Sequence, residues 1–246
     1  MQHRSKKIKK SFFIILVVLI VLSGGSAIYL GNYYHSVDVE KYMNGSSEVS
    51  VEKFDKGWFF DGAGEEKALI FYPGAKVATE AYAPLMYQLT ESGIDCFLVD
   101  MPFHMAFFGM NRAEEIMQEY NYEAWYLGGH SLGGAMAANF AADYVEDHTD
   151  GIRELLLLAA YPTKDLSTSD MSVVTVYGSE DGVLNMDKIV AGRELMPQDY
   201  REVCIEGGNH AQFGSYGAQK GDGTAAIPAE EQWARTVEVF VGDESE

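Results

Sequence analysis

Short apolar runs alternate along this chain with longer segments of helical periodicity. Typical runs are KALIFYP and RELLLLAAYP, whose central positions are all apolar. Continuous apolar strands that alternate with helices predict a parallel sheet buried on both faces. Two earlier runs, VSVEKF and GWFF, alternate in polarity around a turn at Lys56 and Gly57, which predicts an antiparallel hairpin. We therefore expect an α/β fold with a mostly parallel sheet of about eight strands and helices on both faces.

The length and charge of the chain limit its partners. Its 246 residues are enough for one large domain or two small ones with a sizeable core. There are 37 acidic and 18 basic side chains, and the formal net charge at pH 7 is −19. Because contacts to phosphate need Lys and Arg, we do not expect nucleic acid to be a partner.

The amino-terminal segment differs in character from the rest. A basic stretch, KKIKK, precedes residues 12–30, a run of 19 uncharged residues. A helix of that length is roughly 28 Å long, about the thickness of the bilayer core. Residues 1–34 are therefore predicted to be a cytoplasmic tail and a single transmembrane anchor, with the remainder outside the cytoplasm. Three tyrosines would lie at the outer interface: Tyr29, Tyr33 and Tyr34.

The same segment has features of a cleaved signal peptide. The unbroken apolar run covers only residues 12–22, and Gly25, Ser26 and Ala27 resemble a small-residue cleavage site. Apolar character resumes after the glycines, which favours a retained anchor in the cell membrane over a secreted protein. Residues 35–48 are polar and are predicted to be a linker, so the folded domain would occupy residues 49–246.

The two cysteines, Cys96 and Cys204, lie in the apolar runs DCFLV and EVCIE. Both are predicted to be buried strand residues, and a disulfide between them is the less favoured alternative. Two cysteines alone cannot supply a four-ligand zinc site, and we expect no metal.

The stretch GGHSLGG joins a predicted strand to a predicted helix. Residues 129–133 match G-x-S-x-G, in which the serine lies on a strained turn with its hydroxyl exposed above the sheet. Ser131 is therefore the candidate nucleophile, and the N–H of Leu132 could stabilise an oxyanion at the helix terminus. The alternative is a glycine-rich turn with an inert serine. His130 is expected to face away from Ser131 and to pack rather than to act in catalysis.

A serine nucleophile needs a histidine base and a carboxylate, and the expected chain order is Ser, then Asp or Glu, then His. Asp181 follows the strand SVVTVYG, and His210 follows the strand REVCIEG. Both therefore come just after strand ends, as the chemistry requires. Glu180 is the nearest competitor of Asp181. Because these loops follow strand ends, we expect the three side chains to be exposed and their replacement to cost little stability.

A second oxyanion donor is expected in the loop after KALIFY. Gly74 lets the backbone come close there, and the N–H of Ala75 is the candidate. A simple Pro-Gly turn is the alternative.

These motifs resemble the α/β-hydrolase superfamily from about Val49 to Val241. Within it, YPGAKV, GGHSLGGAMAA, YGSEDG and GGNHAQFGSYG are similar to a dienelactone-hydrolase-like group of small membrane-anchored serine hydrolases. The resemblance implies that Ser131 is the nucleophile, His210 the base and Asp181 the acid, with Ala75 and Leu132 as backbone donors. Dienelactone hydrolases proper carry a cysteine nucleophile, so the serine weakens any transfer of their lactone substrate.

A substrate pocket is predicted from the stretch MPFHMAFF, which follows a strand. Its aromatic and methionine side chains could line an acyl pocket, although a loop packed on the sheet edge is an equal alternative. The stretch is short for a lid, so a small cap is expected. Asp222, between two glycines, fits an ordinary turn or a brace for the His210 loop, and we favour the turn. The predicted pocket residues are Met101, Phe103, Met105 and Phe107.

The function predicted from the sequence is a serine hydrolase that cleaves small carboxylic esters through an acyl-enzyme, without cofactor. One alternative is a non-catalytic hydrolase-fold module that binds a ligand at the cell surface. Another is a peptidase or acyltransferase that uses the same triad.

Overall fold

The computed structural model describes residues 31–64, 66–148 and 151–242. In this part of the chain, eight strands form one sheet in the order β1-β2-β4-β3-β5-β6-β7-β8. The hairpin β1-β2 and the pair β2-β4 are antiparallel, and the remaining pairs are parallel. The predicted mostly parallel sheet is therefore confirmed. The strands are Ser50–Phe54 (β1), Gly57–Asp61 (β2), Lys67–Tyr72 (β3), Asp95–Val99 (β4), Ala124–His130 (β5), Ile152–Leu158 (β6), Ser172–Gly178 (β7) and Tyr200–Ile205 (β8).

Helices cover both faces of the sheet, as predicted, because alternate strand residues enter two separate cores. In β3, Leu69 and Phe71 lie in one core, and Ala68, Ile70 and Tyr72 lie in the other. Helices α2 and α6 pack into the first core, and α3 and α4 pack into the second. The α-helices of the described part are Glu40–Met43 (α1), Ala83–Glu91 (α2), Arg112–Glu119 (α3), Leu132–Asp147 (α4), Met186–Gly192 (α5) and Ala229–Val241 (α6).

The segment 35–48, predicted to be a linker, instead belongs to the compact unit that begins at Tyr34. Val39 is only 7 % exposed and packs in the core that α2 and α6 share. The Val37 N–H donates to the Ser215 carbonyl at 2.8 Å. The segment packs because a few apolar side chains in a polar stretch, Val39 and Tyr42 among them, find a place against the domain.

The predicted anchor at residues 12–30 and the alternative cleavage site both lie outside the described residues. Within the residues that are described, no helix combines the length and apolar character needed to cross a bilayer.

The two cysteines are free thiols in strands, and only one of them is buried. Cys96 lies inside β4 and is fully covered, as predicted. Cys204 is exposed, which corrects the prediction of a buried residue. The reason is that β8 is an edge strand of the sheet, so an apolar run there is not covered on all sides.

The parallel strands bring their carboxyl ends to one edge of the sheet. The loops that follow β3, β5, β6, β7 and β8 therefore meet there. They carry the residues predicted to act in the triad or the oxyanion hole, except Leu132, which is the first residue of α4. Ligand sites in open α/β sheets form at this edge.

Candidate active site

Ser131 lies at the sharp turn between β5 and α4. Its backbone has φ 54° and ψ −122°, which is a strained conformation for a residue other than glycine. The glycines around it allow the turn to pack. A Cβ at Gly129 would lie 2.6 Å from the carbonyl carbon of Gly133, and a Cβ at Gly133 would lie 2.1 Å from the Tyr72 carbonyl oxygen. The geometry is that of the strained strand-to-helix turn typical of G-x-S-x-G, and glycine is required at both flanking positions.

His210 and Asp181 form a buried pair at this edge of the sheet. The His210 Nδ1 lies 2.8 Å from the Asp181 Oδ2, and each side chain is only 2 % exposed. The other carboxylate oxygen, Oδ1, accepts hydrogen bonds from the N–H groups of Val183 and Leu184, both at 2.8 Å. Because a carboxylate only accepts, Nδ1 carries the proton and Nε2 of the neutral ring is free to accept one. The expectation that these side chains are exposed is wrong, since the loops fold over them.

Glu180, the competitor of Asp181, is exposed and accepts a hydrogen bond from its neighbour Ser179 at 3.1 Å. The structure therefore pairs His210 with Asp181 and not with Glu180.

Ser131 and His210 open into the same cavity, which has a volume of about 260 Å³. The Nε2 atom of His210 is buried and has no hydrogen-bond partner within the described residues. This nitrogen is thus an unused proton acceptor on a residue that lines the same cavity as Ser131. The remaining lining residues come from the start of α4 and from the loops after β6 and β7: Leu132, Ala135, Ala159, Ala160, Tyr161, Val183, Leu184 and Asn185.

The N–H groups of the two predicted oxyanion donors have no acceptor among the described residues. Leu132 is the first residue of α4, where an N–H has no acceptor within its own helix. Ala75 follows β3, and its N–H donates to no group in the described part of the chain, whereas the neighbouring Lys76 N–H donates to His104. The close approach of Gly133 to Tyr72 brings the start of α4 against the end of β3.

A buried tyrosine and histidine support the Ala75 loop, and the sequence did not single out the tyrosine. Tyr82 Oη accepts a hydrogen bond from the Gly74 N–H at 3.0 Å and lies 2.8 Å from the His130 Nδ1. The ring of His130 packs 4.5 Å from that of His210, centroid to centroid. His130 thus packs, as predicted, but it packs against the histidine of the pair. No local pattern marks Tyr82, because its contacts join distant parts of the chain.

Burial sets the protonation of both supporting residues. It lowers the pKa of His130 well below its usual value, and the neighbouring His210 lowers it further. Burial raises the pKa of Tyr82, so its hydroxyl keeps its proton. The Tyr82 hydroxyl can therefore accept from Gly74 and donate to a neutral His130 at the same time.

The predicted pocket residues lie outside the cavity that Ser131 and His210 share. Met101 is buried in the core beside α3 and α4, and Met105 is half-buried. Phe103 is 58 % exposed, and Phe107 is 48 % exposed. Phe107 instead lines a separate depression of about 580 Å³ that includes Lys56. The stretch MPFHMAFF forms two short 3₁₀ turns, Pro102–His104 and Ala106–Phe108. The wall of the cavity is formed instead by the start of α4 and the loops after β6 and β7.

The described residues contain no candidate metal-binding cluster. No set of three or more His, Cys, Asp or Glu residues there is placed to hold a metal ion.

Comparison with solved structures supports the fold. The chain is similar to carboxyl esterase 2 from the mycorrhizal fungus Tuber melanosporum, at a TM-score of 0.60 and 12% identity over 86% of this chain and 89% of that chain. Est1E from Butyrivibrio proteoclasticus is similar at a TM-score of 0.56 and 15% identity, over 81% of this chain and 100% of that one. The esterase domain of a Rhodothermus marinus protein is similar at a TM-score of 0.56 and 12% identity, over 79% of this chain and 97% of that one. At identities this low, the structural similarity shows a common fold and nothing more.

Sequence comparison gives the family. No curated protein matches the chain significantly. The family model described as the alpha/beta hydrolase family matches residues 68–234, which is more than half of the chain. This span includes Ser131, Asp181 and His210. The chain therefore belongs to the alpha/beta hydrolase family.

Proposed function

We propose that the chain is a serine hydrolase that cleaves carboxylic esters through an acyl-enzyme. Ser131 is the nucleophile, His210 the base and Asp181 the acid that orients the histidine. One observation carries the proposal: His210 forms a buried pair with Asp181, keeps its other ring nitrogen without a partner among the described residues, and lines the same cavity as Ser131. The motifs shared with the dienelactone-hydrolase-like group give further support.

In acylation, the Ser131 Oγ attacks the ester carbonyl carbon while its proton passes to the His210 Nε2. The Asp181 carboxylate stabilises the imidazolium that forms. The carbonyl oxygen becomes an oxyanion, which accepts hydrogen bonds from the N–H groups of Ala75 and Leu132. The tetrahedral intermediate then expels the alkoxide, which takes the proton from His210 and leaves as the alcohol.

Deacylation repeats these steps with water as the nucleophile. His210 accepts a proton from the water as the oxygen attacks the acyl carbon, and the same two N–H groups hold the oxyanion. When the intermediate collapses, the Ser131 Oγ leaves and recovers its proton from His210. The carboxylic acid is released, and no cofactor enters either half of the reaction.

The cavity favours small acyl groups. Its volume of about 260 Å³ lies just below the usual range for ligand pockets of roughly 300–1,000 Å³. Its walls include Ala135, Ala159, Ala160 and Leu184, which are small or aliphatic. We therefore expect short acyl esters to be better substrates than long ones.

The proposal also includes attachment to the cell membrane through residues 12–30, with the hydrolase unit outside the cytoplasm. Its support is the sequence alone, namely KKIKK followed by 19 uncharged residues. Protease added to intact cells should degrade the hydrolase unit. A soluble form without the apolar segment would indicate signal cleavage instead.

Labelling with a fluorophosphonate probe tests the proposed function. The purified protein should be labelled at Ser131, whereas Ser131→Ala should not, and Ser215→Ala should label as the wild type does. Hydrolysis of p-nitrophenyl acetate should exceed that of the decanoate in kcat/KM. Labelling of another residue would contradict the assignment of Ser131, and no labelling with no hydrolysis would favour a non-catalytic binding module.

A further inference from the structure

Asp222 joins the loop of the acid to the loop of the base. Its Oδ1 accepts hydrogen bonds from the Gly182 N–H at 3.1 Å and from the His210 N–H at 3.2 Å. Its Oδ2 accepts from the Ala211 N–H at 2.8 Å. One carboxylate therefore binds the main chain directly after Asp181 and the main chain of His210 itself.

The backbones around Asp222 are packed too closely for any residue but glycine. A Cβ at Gly182 would lie 2.6 Å from the Gly221 carbonyl oxygen, and a Cβ at Gly223 would lie 2.0 Å from the Glu180 carbonyl oxygen. The GDG stretch thus lies directly against the EDG stretch of the acid loop. This contact places the Asp222 carboxylate between the two loops. An ordinary turn would not require such close packing against a second loop.

We propose that Asp222 is a positioning residue that fixes the His210 ring against Asp181. The inference rests on the proposed function, because it assigns Asp222 a role in the same triad. Asp222 touches only main-chain N–H groups, whereas Asp181 binds the ring nitrogen, so the two carboxylates have different tasks. Hydrogen bonds from N–H groups to an ionised carboxylate are among the strong ones, which suits a rigid clamp.

The Asp222 carboxylate is not the only group that holds the His210 loop, so a variant at Asp222 should still fold. The Asn209 Nδ2 donates to the Gly223 carbonyl at 2.8 Å, and the Asn209 N–H donates to the Gln232 side chain at 3.0 Å. Neither bond involves the Asp222 carboxylate. Loss of that carboxylate would leave the loop in place but less well fixed.

The test compares Asp222→Asn with Glu180→Gln. Both substitutions remove one negative charge near His210. Only Asp222→Asn also places an amide NH₂ group, which is a donor, against main-chain N–H groups. In Asp222→Asn, kcat should fall by about 10- to 100-fold with KM within about twofold, because small misplacements of catalytic groups are costly. Glu180→Gln should stay within about twofold in both constants, since its side chain is exposed. Equal kinetics in the two variants would overturn the proposal.

Two further measurements do not depend on hydrolysis, so they separate this proposal from the function on which it rests. Proton NMR should show a low-field His210 Nδ1–H signal in the wild type and Glu180→Gln that is shifted or broadened in Asp222→Asn. An unchanged signal would contradict the proposal even in an inactive protein. If Asp222→Asn does not fold, amide exchange of the wild type decides: Gly182, His210 and Ala211 should exchange slowly, and rapid exchange would contradict the clamp.

Discussion

At the scale of single residues, Asp181 makes hydrogen bonds to the main chain in addition to the one to His210 that catalysis requires. Its carboxylate accepts two main-chain hydrogen bonds and binds His210, and its side chain is 2 % exposed. Buried polar groups that lose their partner cost stability, because they give up water without gaining a bond. The residue should therefore matter for folding as well as for activity.

Asp181→Ala should lower the free energy of unfolding by about 2–4 kcal/mol, because it leaves the His210 Nδ1–H and two main-chain N–H groups unpaired. Denaturant unfolding at pH 7 measures the change. Glu180→Ala is the control and should stay within about 0.5 kcal/mol, since that side chain is exposed. Equal stability of the two variants would mean that the buried pair is not formed as described.

At the scale of elements, the sequence predicted the strands and the edge of the sheet at which the candidate triad lies, but not the walls of the cavity. Each strand is an apolar run with a local signal, and G-x-S-x-G at a strand end marks Ser131 directly. The cavity depends on how the loops after β6 and β7 converge, so Tyr161 and Asn185 carry no local signal. Tyr82 was missed for the same reason, and the packing of residues 35–48 was hidden by their polarity.

The turn at Ser131 provides a prediction for its elements, since α4 meets β3 through Gly133. Gly133→Ala should destabilise the protein by about 3 kcal/mol, because the new Cβ would lie 2.1 Å from the Tyr72 carbonyl and the backbone must move. Gly242→Ala is the matched control, since no atom of a non-neighbouring described residue lies within 4 Å of its added Cβ. Thermal unfolding of the two variants gives the comparison, and a Gly133→Ala protein as stable as the control would refute the close packing.

At the scale of the whole molecule, stability should depend on pH through His130. Burial lowers the pKa of this histidine in the folded state, with Tyr82 and His210 as its titratable neighbours. Below the ordinary histidine value of about 6.5, the unfolded chain binds a proton at His130 that the folded protein does not. Stability therefore falls as the pH drops below that value, by up to about 1.4 kcal/mol per pH unit from this residue.

The measurement is the free energy of unfolding at pH 7 and pH 5.5 for the wild type and for His130→Phe. We expect the wild type to lose about 1 kcal/mol more than the variant between the two values, since the variant lacks the titrating group. Carboxylates and the other histidines contribute to both proteins and largely cancel in the difference. Equal losses would show that His130 titrates alike in the folded and unfolded states.

The central claim is that Ser131, His210 and Asp181 act as one unit, and kcat of the single and combined variants tests it most directly. Without the base the hydroxyl keeps its proton, and without the carboxylate the ring adopts the wrong tautomer. Ser131→Ala and His210→Ala should therefore each lower kcat for a short-chain ester by about 10⁴- to 10⁶-fold, with Asp181→Asn losing somewhat less. The triple variant should be scarcely slower than Ser131→Ala. Full esterase activity in purified Ser131→Ala, or losses that multiply across the three substitutions, would contradict the account.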